Sequence, residues 1–392
     1  MADQLPSSRE SKSAAQEAAK DRISQARSQS RSPTAWANEI IKGDRSALSQ
    51  AITLTESSKP SDQLMLDILL QAVQSNKKET ASIRIGITGV PGVGKSTFIE
   101  CYGLLLLERN HRVAVLAVDP SSGITKGSIL GDKTRMESLS NNENTFIRPS
   151  PSSGSLGGVA RKTRESIILC EAAGFDTIII ETVGVGQSET MVHSMVDFFL
   201  LLKIAGAGDE LQGIKRGIIE MADAIIINKA DGENIRNASI AKVDFTRALH
   251  LYPQKNSGWK PKVLTASALE GTGVNEVMEM IESYISLVKK NNFFVSNRNH
   301  QNISWLKAII EKNLHDSFYK NNKNHIALKK EIELLEDASD ILVKQIKPNF
   351  KTLGPRFGKD MKAIASAVIN FTSEDINKME QNGNLEVAIN GK

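Results

Sequence analysis

A chain of 392 residues, 40% hydrophobic and 24% charged, has room for one large α/β domain with helical additions or for two domains. Its formal charge of +4 is too small and too dispersed to mark a nucleic-acid binder, and no apolar run approaches the ~20 residues of a membrane span. Cys101 and Cys170 stand far apart with no CxxC pair, and the six histidines are scattered singly, which argues against a disulfide framework and a His/Cys metal cluster and fits a reducing cytoplasm.

In chain order, residues 1–35 are rich in Ser, Arg, Ala and Gln but carry Asp3, Glu10, Glu17 and Asp21 and lack an apolar core. They read as a disordered or loosely helical lead-in, not as a signal or transit peptide. From Trp36, apolar residues recur at helical spacing in "EIIKGDRSALSQAITLTES" and "DQLMLDILLQAV", broken at "SSKPSD", which predicts a helical layer over residues 36–80. Between residues 81 and 290 the pattern changes to short β-branched runs alternating with helical stretches. The runs are "IRIGIT", "RVAVLAV", "NTFIRP", "FDTIIIE", "DFFLLLKI", "ADAIIIN" and "PKVLTAS". Such alternation predicts crossover units and a mostly parallel sheet covered on both faces, a three-layer α/β sandwich. Beyond Asn291 the helical period returns, with Ile303, Leu306, Ile309, Ile310, Leu314 and Phe318 on one stripe. From about residue 337, Pro348, Gly354, Pro355 and Gly358 break any long helix.

The first chemical signal follows the first strand. "GVPGVGKST", Gly89, Val90, Pro91, Gly92, Val93, Gly94, Lys95, Ser96 and Thr97, fits GxxxxGK[ST] between a strand and a helical pattern. Glycines there let backbone N–H groups turn toward phosphates, and the helix start adds partial positive charge. Lys95 is expected to reach the β and γ phosphates and the Ser96 hydroxyl to ligate Mg²⁺.

"INKAD" places Asn228, Lys229 and Asp231 just past the end of an isoleucine strand, where open parallel sheets bind ligands. A carboxylate at Asp231 can accept from guanine N1–H and the exocyclic amine, a donor pair that adenine does not offer. Four letters alone also fit a strand-end turn with an Asp helix cap. Downstream, "SAL" brings Ser267, Ala268 and Leu269 toward the base, where the N–H groups of Ser267 and Ala268 are expected to hold guanine O6.

Asp119 ends "RVAVLAV" and Asp132 lies in "GSILGDKTRM", both placed to face Mg²⁺; locally, Asp119 also fits a turn opener and Asp132 a cap for a helix starting at Lys133. Glu181 ends "FDTIIIE" on the same sheet edge as the phosphate loop. Its carboxylate can face Mg²⁺ or its water ligands, or point into solvent. Gly184 and Gly186 allow the backbone to approach the γ-phosphate and withdraw after hydrolysis.

In the order GVPGVGKST, VDPSS, ETVGVGQ, NKAD, SAL, residues 36–336 resemble the MeaB/ArgK group of P-loop GTPases. "ETVGVGQSE" and "GAGDELQGIKRGI" are far more specific to that group than the phosphate loop. The resemblance implies a homodimeric, Mg²⁺-dependent GTPase that acts as a chaperone of adenosylcobalamin-dependent methylmalonyl-CoA mutase, gating cofactor loading and protecting or rescuing the mutase. It also implies that Asp119, Asp132 and Glu181 are the switch and Mg²⁺ acids, and that residues 206–218 relay nucleotide state, with Lys215 as a coupling residue. Arg298, Gln301 and Trp305 of "RNHQNISW" resemble the group's dimerisation arm, assigned to residues 291–336. Residues 337–392, with "IKPNFKTLGPRFGKDMKAIA" and "FTSEDINKMEQNG", instead resemble the C-terminal end of isoleucyl-tRNA synthetase. About fifty residues are far below the ~100 to 200 of one domain, so no synthetase activity is implied.

No Gln directly follows the first switch glycine, so slow intrinsic hydrolysis is expected, with Gln187 as a weak water-positioning candidate. Competing readings are an ATP-dependent kinase serving basic amino-acid transport, against which Asp231 argues, and a metal-insertion GTPase, whose Cys/His site is missing. An RNA-associated tail is a third, weakened by modest charge and few aromatics.

Overall fold

The computed structural model describes residues 32–57, 59–76, 82–118, 136–150, 156–182, 184, 188–206 and 216–319. The chain divides into two compact units, Met1–Ser304 and Trp305–Lys392.

Each of the seven apolar runs forms a strand: β1 (Ile83–Gly89), β2 (Val113–Val118), β3 (Thr145–Ser150), β4 (Thr177–Thr182), β5 (Phe198–Ile204), β6 (Ala224–Asn228) and β7 (Lys262–Thr265). They build one sheet in the order β3-β2-β4-β1-β5-β6-β7, and every pairing is parallel. Strands buried on both faces read as unbroken apolar runs, which explains why "TIIIET" and "FFLLLKI" carry so little alternation. Because β1 is central, the chain leaves it toward β2 and β3 on one side and later toward β5, β6 and β7 on the other. Such a reversal of strand order opens a crevice at the carboxyl ends of the strands.

Helices α1 (Pro33–Ile41), α2 (Arg45–Glu56) and α3 (Pro60–Asn76) form the N-terminal layer, followed by α4 (Lys95–Glu108), α5 (Glu137–Ser140), α6 (Leu156–Ala172), α7 (Ser188–His193), α8 (Arg216–Met221), α9 (Ile235–Leu249), α10 (Val274–Lys290) and α11 (Phe293–Tyr319). One stretch differs from the expected helical pattern: "EIIKGDRSAL" is two helices. Asp44 accepts from the Ala47 N–H at 2.8 Å, capping α2, so the chain turns at Gly43 and restarts.

One face of the sheet buries Ile85, Ile87 and Ile179 against α4 and α10. The other buries Ile178, Ile180 and Phe199 against α1–α3, α6 and α7. A third cluster joins β5, β6 and β7 to α8 and α9 through Ile225, Ile227, Ala241 and Phe245. Gly86 lies on the α7 side of β1, where a Cβ would stand 2.8 Å from Phe199 Cδ2 and 3.0 Å from Val192 Cγ1. The missing side chain seats α7 directly on the strand. Gly86→Ala is expected to cost about 1–3 kcal/mol by overpacking, read as a lowered urea midpoint with unchanged slope.

At the amino ends of the strands, Arg298 is bound to Asp197 at 2.6 and 2.8 Å and donates to Ser82 O at 2.8 Å. Gln301 is buried and donates to Val196 O at 2.8 Å. These two residues, expected on an arm facing a second copy, are thus engaged with their own chain. The apolar stripe on α11 is different: Ile303, Leu306, Ile310 and Leu314 are exposed. No described helix is long and apolar enough to cross a membrane.

Candidate nucleotide site

The loop from Gly89 to Lys95 leaves the central strand at the crevice. Lys95 Nζ folds back over it, donating to Gly89 O at 2.8 Å and Val90 O at 3.3 Å. Burial pushes the Lys95 ammonium below the ordinary lysine range, and the carboxylates of Glu181 first and Glu189 second oppose that fall. Ser96 opens α4 and directs its hydroxyl at Glu181, with Oγ to Oε1 at 3.4 Å. Thr97 is exposed.

Register explains the Glu181 position. It pairs with Ile87 of β1, two residues before the loop begins, and is 9% exposed, so it faces the crevice and not bulk solvent. Next to it, Thr182 Oγ1 donates to Thr88 Oγ1 at 2.8 Å, tying the end of β4 to the end of β1. Gly184 then has φ +88, and a Cβ there would lie 2.1 Å from Gly89 O and 3.3 Å from Val90 Cα. The switch backbone therefore rests on the phosphate loop itself, a contact open to glycine alone.

On the other side of β1, Asn228 ends β6 and is buried. Its Nδ2 donates to Val93 O at 2.9 Å, and its Oδ1 accepts from the Ala268 N–H at 3.3 Å. One side chain thereby couples the phosphate loop to the loop after β7. Lys229 is exposed and adopts the left-handed conformation, φ +56.

Asp231 is held by the Ser267 hydroxyl, which donates to its Oδ2, while Ser267 Oγ accepts from the Glu270 N–H at 3.1 Å. This corrects one expectation. The Ser267 N–H, assigned to guanine O6, is bonded to Thr272 O at 2.9 Å because the 267–272 turn closes on it. Ser267 acts through its hydroxyl, and the long Ala268 bond is the one with room to change partner. Leu269 is 83% exposed at the rim.

Phosphate loop, Glu181, Gly184, Asn228, Lys229, Asp231, Ser267, Ala268 and Leu269 are thus gathered at one edge of one sheet. Asp119, Asp132, Lys215, Gly186 and Gln187 lie outside the described residues. Sequence reasoning missed Thr88, Thr182 and Glu189 as site residues; Thr182 and Glu189 lie within "ETVGVGQSE", where attention went to Glu181 and the glycines.

A doubly covered parallel sheet with a GxxxxGKS loop after its central strand and an NKxD strand end defines a P-loop GTPase. The family described as "Methylmalonyl Co-A mutase-associated GTPase MeaB" matches residues 48–323, and the chain belongs to that family. Among relatives, the Escherichia coli (strain K12) protein named "GTPase ArgK" is 48% identical over 282 residues, covering 72% of this chain and 85% of the relative. The Mus musculus "Methylmalonic aciduria type A homolog, mitochondrial" is 43% identical over 327 residues, covering 79% and 78%. A solved structure described as "Crystal structure of LAO/AO transport system kinase" matches with a TM-score of 0.63 at 37% identity, covering 86% of this chain and 97% of that one.

Proposed function

We propose that this GTPase is a nucleotide-driven chaperone of an adenosylcobalamin-dependent methylmalonyl-CoA mutase, gating cofactor loading and protecting or reactivating the mutase, in the cytoplasm. The observation that carries the reading is the seat of Gly184 on Gly89, because it links the family's specific "ETVGVGQ" segment to the loop that holds the phosphates. A switch resting on the phosphate loop senses whether a γ-phosphate is present, and a chaperone needs that two-state signal.

Hydrolysis is attack of water in line on the γ-phosphate, with the water proton passing to phosphate and GDP leaving. Lys95 and the loop amides hold the charge on the transferring group, so catalysis is mainly positioning and electrostatics. The Ser96 hydroxyl and Glu181 carboxylate, 3.4 Å apart, are hard oxygen donors suited to Mg²⁺. Held there, Mg²⁺ would supply positive charge that offsets the negative charge on the transferring group. Asp119 and Asp132 are proposed to complete this acid set. Asp231 selects guanine, Asn228 and Lys229 support the base pocket, and Lys215 with residues 206–218 couples nucleotide state to the mutase.

A homodimer is part of the reading. It is supported by the exposed stripe of Ile303, Leu306, Ile310 and Leu314, side chains that gain most from a second surface.

The kinase reading draws on the likeness to a transport-system kinase but gives Asp231 no role. The deciding measurement is GTP hydrolysis with and without methylmalonyl-CoA mutase from the same source. Slow turnover alone and faster turnover with the mutase is expected. Fast turnover by the isolated protein, or no contact and no stimulation, would remove the chaperone reading and leave GTP hydrolysis intact.

A further inference from the structure

Glu189, in the first turn of α7, is 1% exposed, and neither of its carboxylate oxygens has a hydrogen-bond partner. Its neighbour Ser188 is fully buried with Oγ equally unbonded. A buried carboxylate with no partner is costly, and one kept in a fold calls for a functional or structural explanation. The position is specific. Val192 and Val196 press on β1 at Gly86, which fixes α7 beside the central strand. Since α7 follows the carboxyl end of β4, the turn carrying Glu189 points back toward the phosphate-loop edge. The cation that feels it is Lys95, on which Glu181 and Glu189 both act.

We propose that Glu189 is a positioning residue for Lys95: its buried carboxylate competes with the γ-phosphate of GTP for the lysine ammonium and so ties the start of α7 to the nucleotide. This rests on GTP occupying the phosphate loop. In the conformation described, Lys95 is bonded to the loop carbonyls of Gly89 and Val90, and the Glu189 carboxylate favours its charged form after that of Glu181. When the lysine turns to the phosphates, Glu189 is left among anions in a low-dielectric site and the start of α7 must move to give it water or a donor. GDP, which offers Lys95 only the β-phosphate, disturbs that balance less. α7 packs on α8, so the movement reaches the helix that follows residues 206–215.

The test uses the full chain and compares affinities for a non-hydrolysable GTP analogue with Mg²⁺ and for GDP. Removing the competing charge in Glu189→Gln is expected to shift the affinity ratio toward the analogue by about three- to tenfold, the effect of one partly screened charge, with GDP affinity little changed. Glu189→Asp, which keeps the charge, is expected to restore most of the wild-type ratio. A carboxylate with only a structural role would weaken both nucleotides together and leave the ratio where it was, which overturns the proposal. Wild-type protein gives an independent reading should the Gln variant not fold: amides of α7 are expected to exchange faster with the analogue bound than with GDP, and equal exchange overturns the proposal. Wild-type protein that binds no GTP would remove the nucleotide site itself, whereas intact binding with an unmoved ratio counts against Glu189 alone.

Discussion

Gly184→Ala is expected to bind GDP with nearly wild-type affinity and to hydrolyse GTP about 100-fold more slowly, the penalty that a displacement of roughly 1 Å at a reacting centre can impose. The glycine stands at φ +88, where an L side chain costs about 1–2 kcal/mol. Its Cβ would also lie 2.1 Å from Gly89 O, far inside any real contact, and the obstacle is backbone with nowhere to turn. The switch must therefore lift away from the phosphate loop. Nothing in that shift touches Asn228, Asp231 or Ser267, so the base end of the nucleotide keeps its partners. Single-turnover hydrolysis beside a GDP titration separates the two effects. Wild-type hydrolysis by the alanine variant would mean that the contact between switch and loop has no part in the reaction.

The architecture was legible because burial on both faces leaves a plain trace: seven β-branched runs, each the length of one strand, separated by helical stretches. The edge that carries the site followed from the motifs, since GxxxxGKS and NKxD belong at the carboxyl ends of parallel strands, whereas the strand order came only from the structure. Spacing could not tell backbone from side chain. Ser267 was expected to offer its N–H, but the turn to Thr272 takes that group and leaves the hydroxyl to hold Asp231. Nor could it show which polar residues are inside. Glu189 is buried in α7, which Gly86, about a hundred residues earlier, lets lie close on β1 through Val192. Arg298 and Gln301 show the same limit: a residue pattern marks an anchor, while the fold decides what it is anchored to.

Asp231→Asn is expected to lower GTP affinity by about 10² to 10⁴-fold: of two hydrogen bonds to a charged acceptor, each ~1.5–3 kcal/mol, one gives way to two facing N–H groups and the other loses its charge. Guanine presents N1–H and an exocyclic amine side by side, so the site must offer acceptors only, and a carboxylate is the side chain that offers no donor. Ser267 donates to Oδ2 and is itself fixed by the Glu270 N–H, which holds the carboxylate in place before a base arrives. An amide at this position turns one acceptor into an NH₂ group facing the guanine amine. The same change suits xanthine, whose C2 carbonyl accepts where guanine donates, so xanthosine triphosphate affinity is expected to rise as GTP affinity falls. The phosphate loop, Lys95 and Ser96 are untouched, and hydrolysis at saturating xanthosine triphosphate is expected to approach the wild-type rate with GTP. Competition titrations with guanosine, xanthosine and adenosine triphosphates measure the exchange directly. Undiminished GTP binding by the asparagine variant would place the base elsewhere, and with it the role of the whole NKAD strand end.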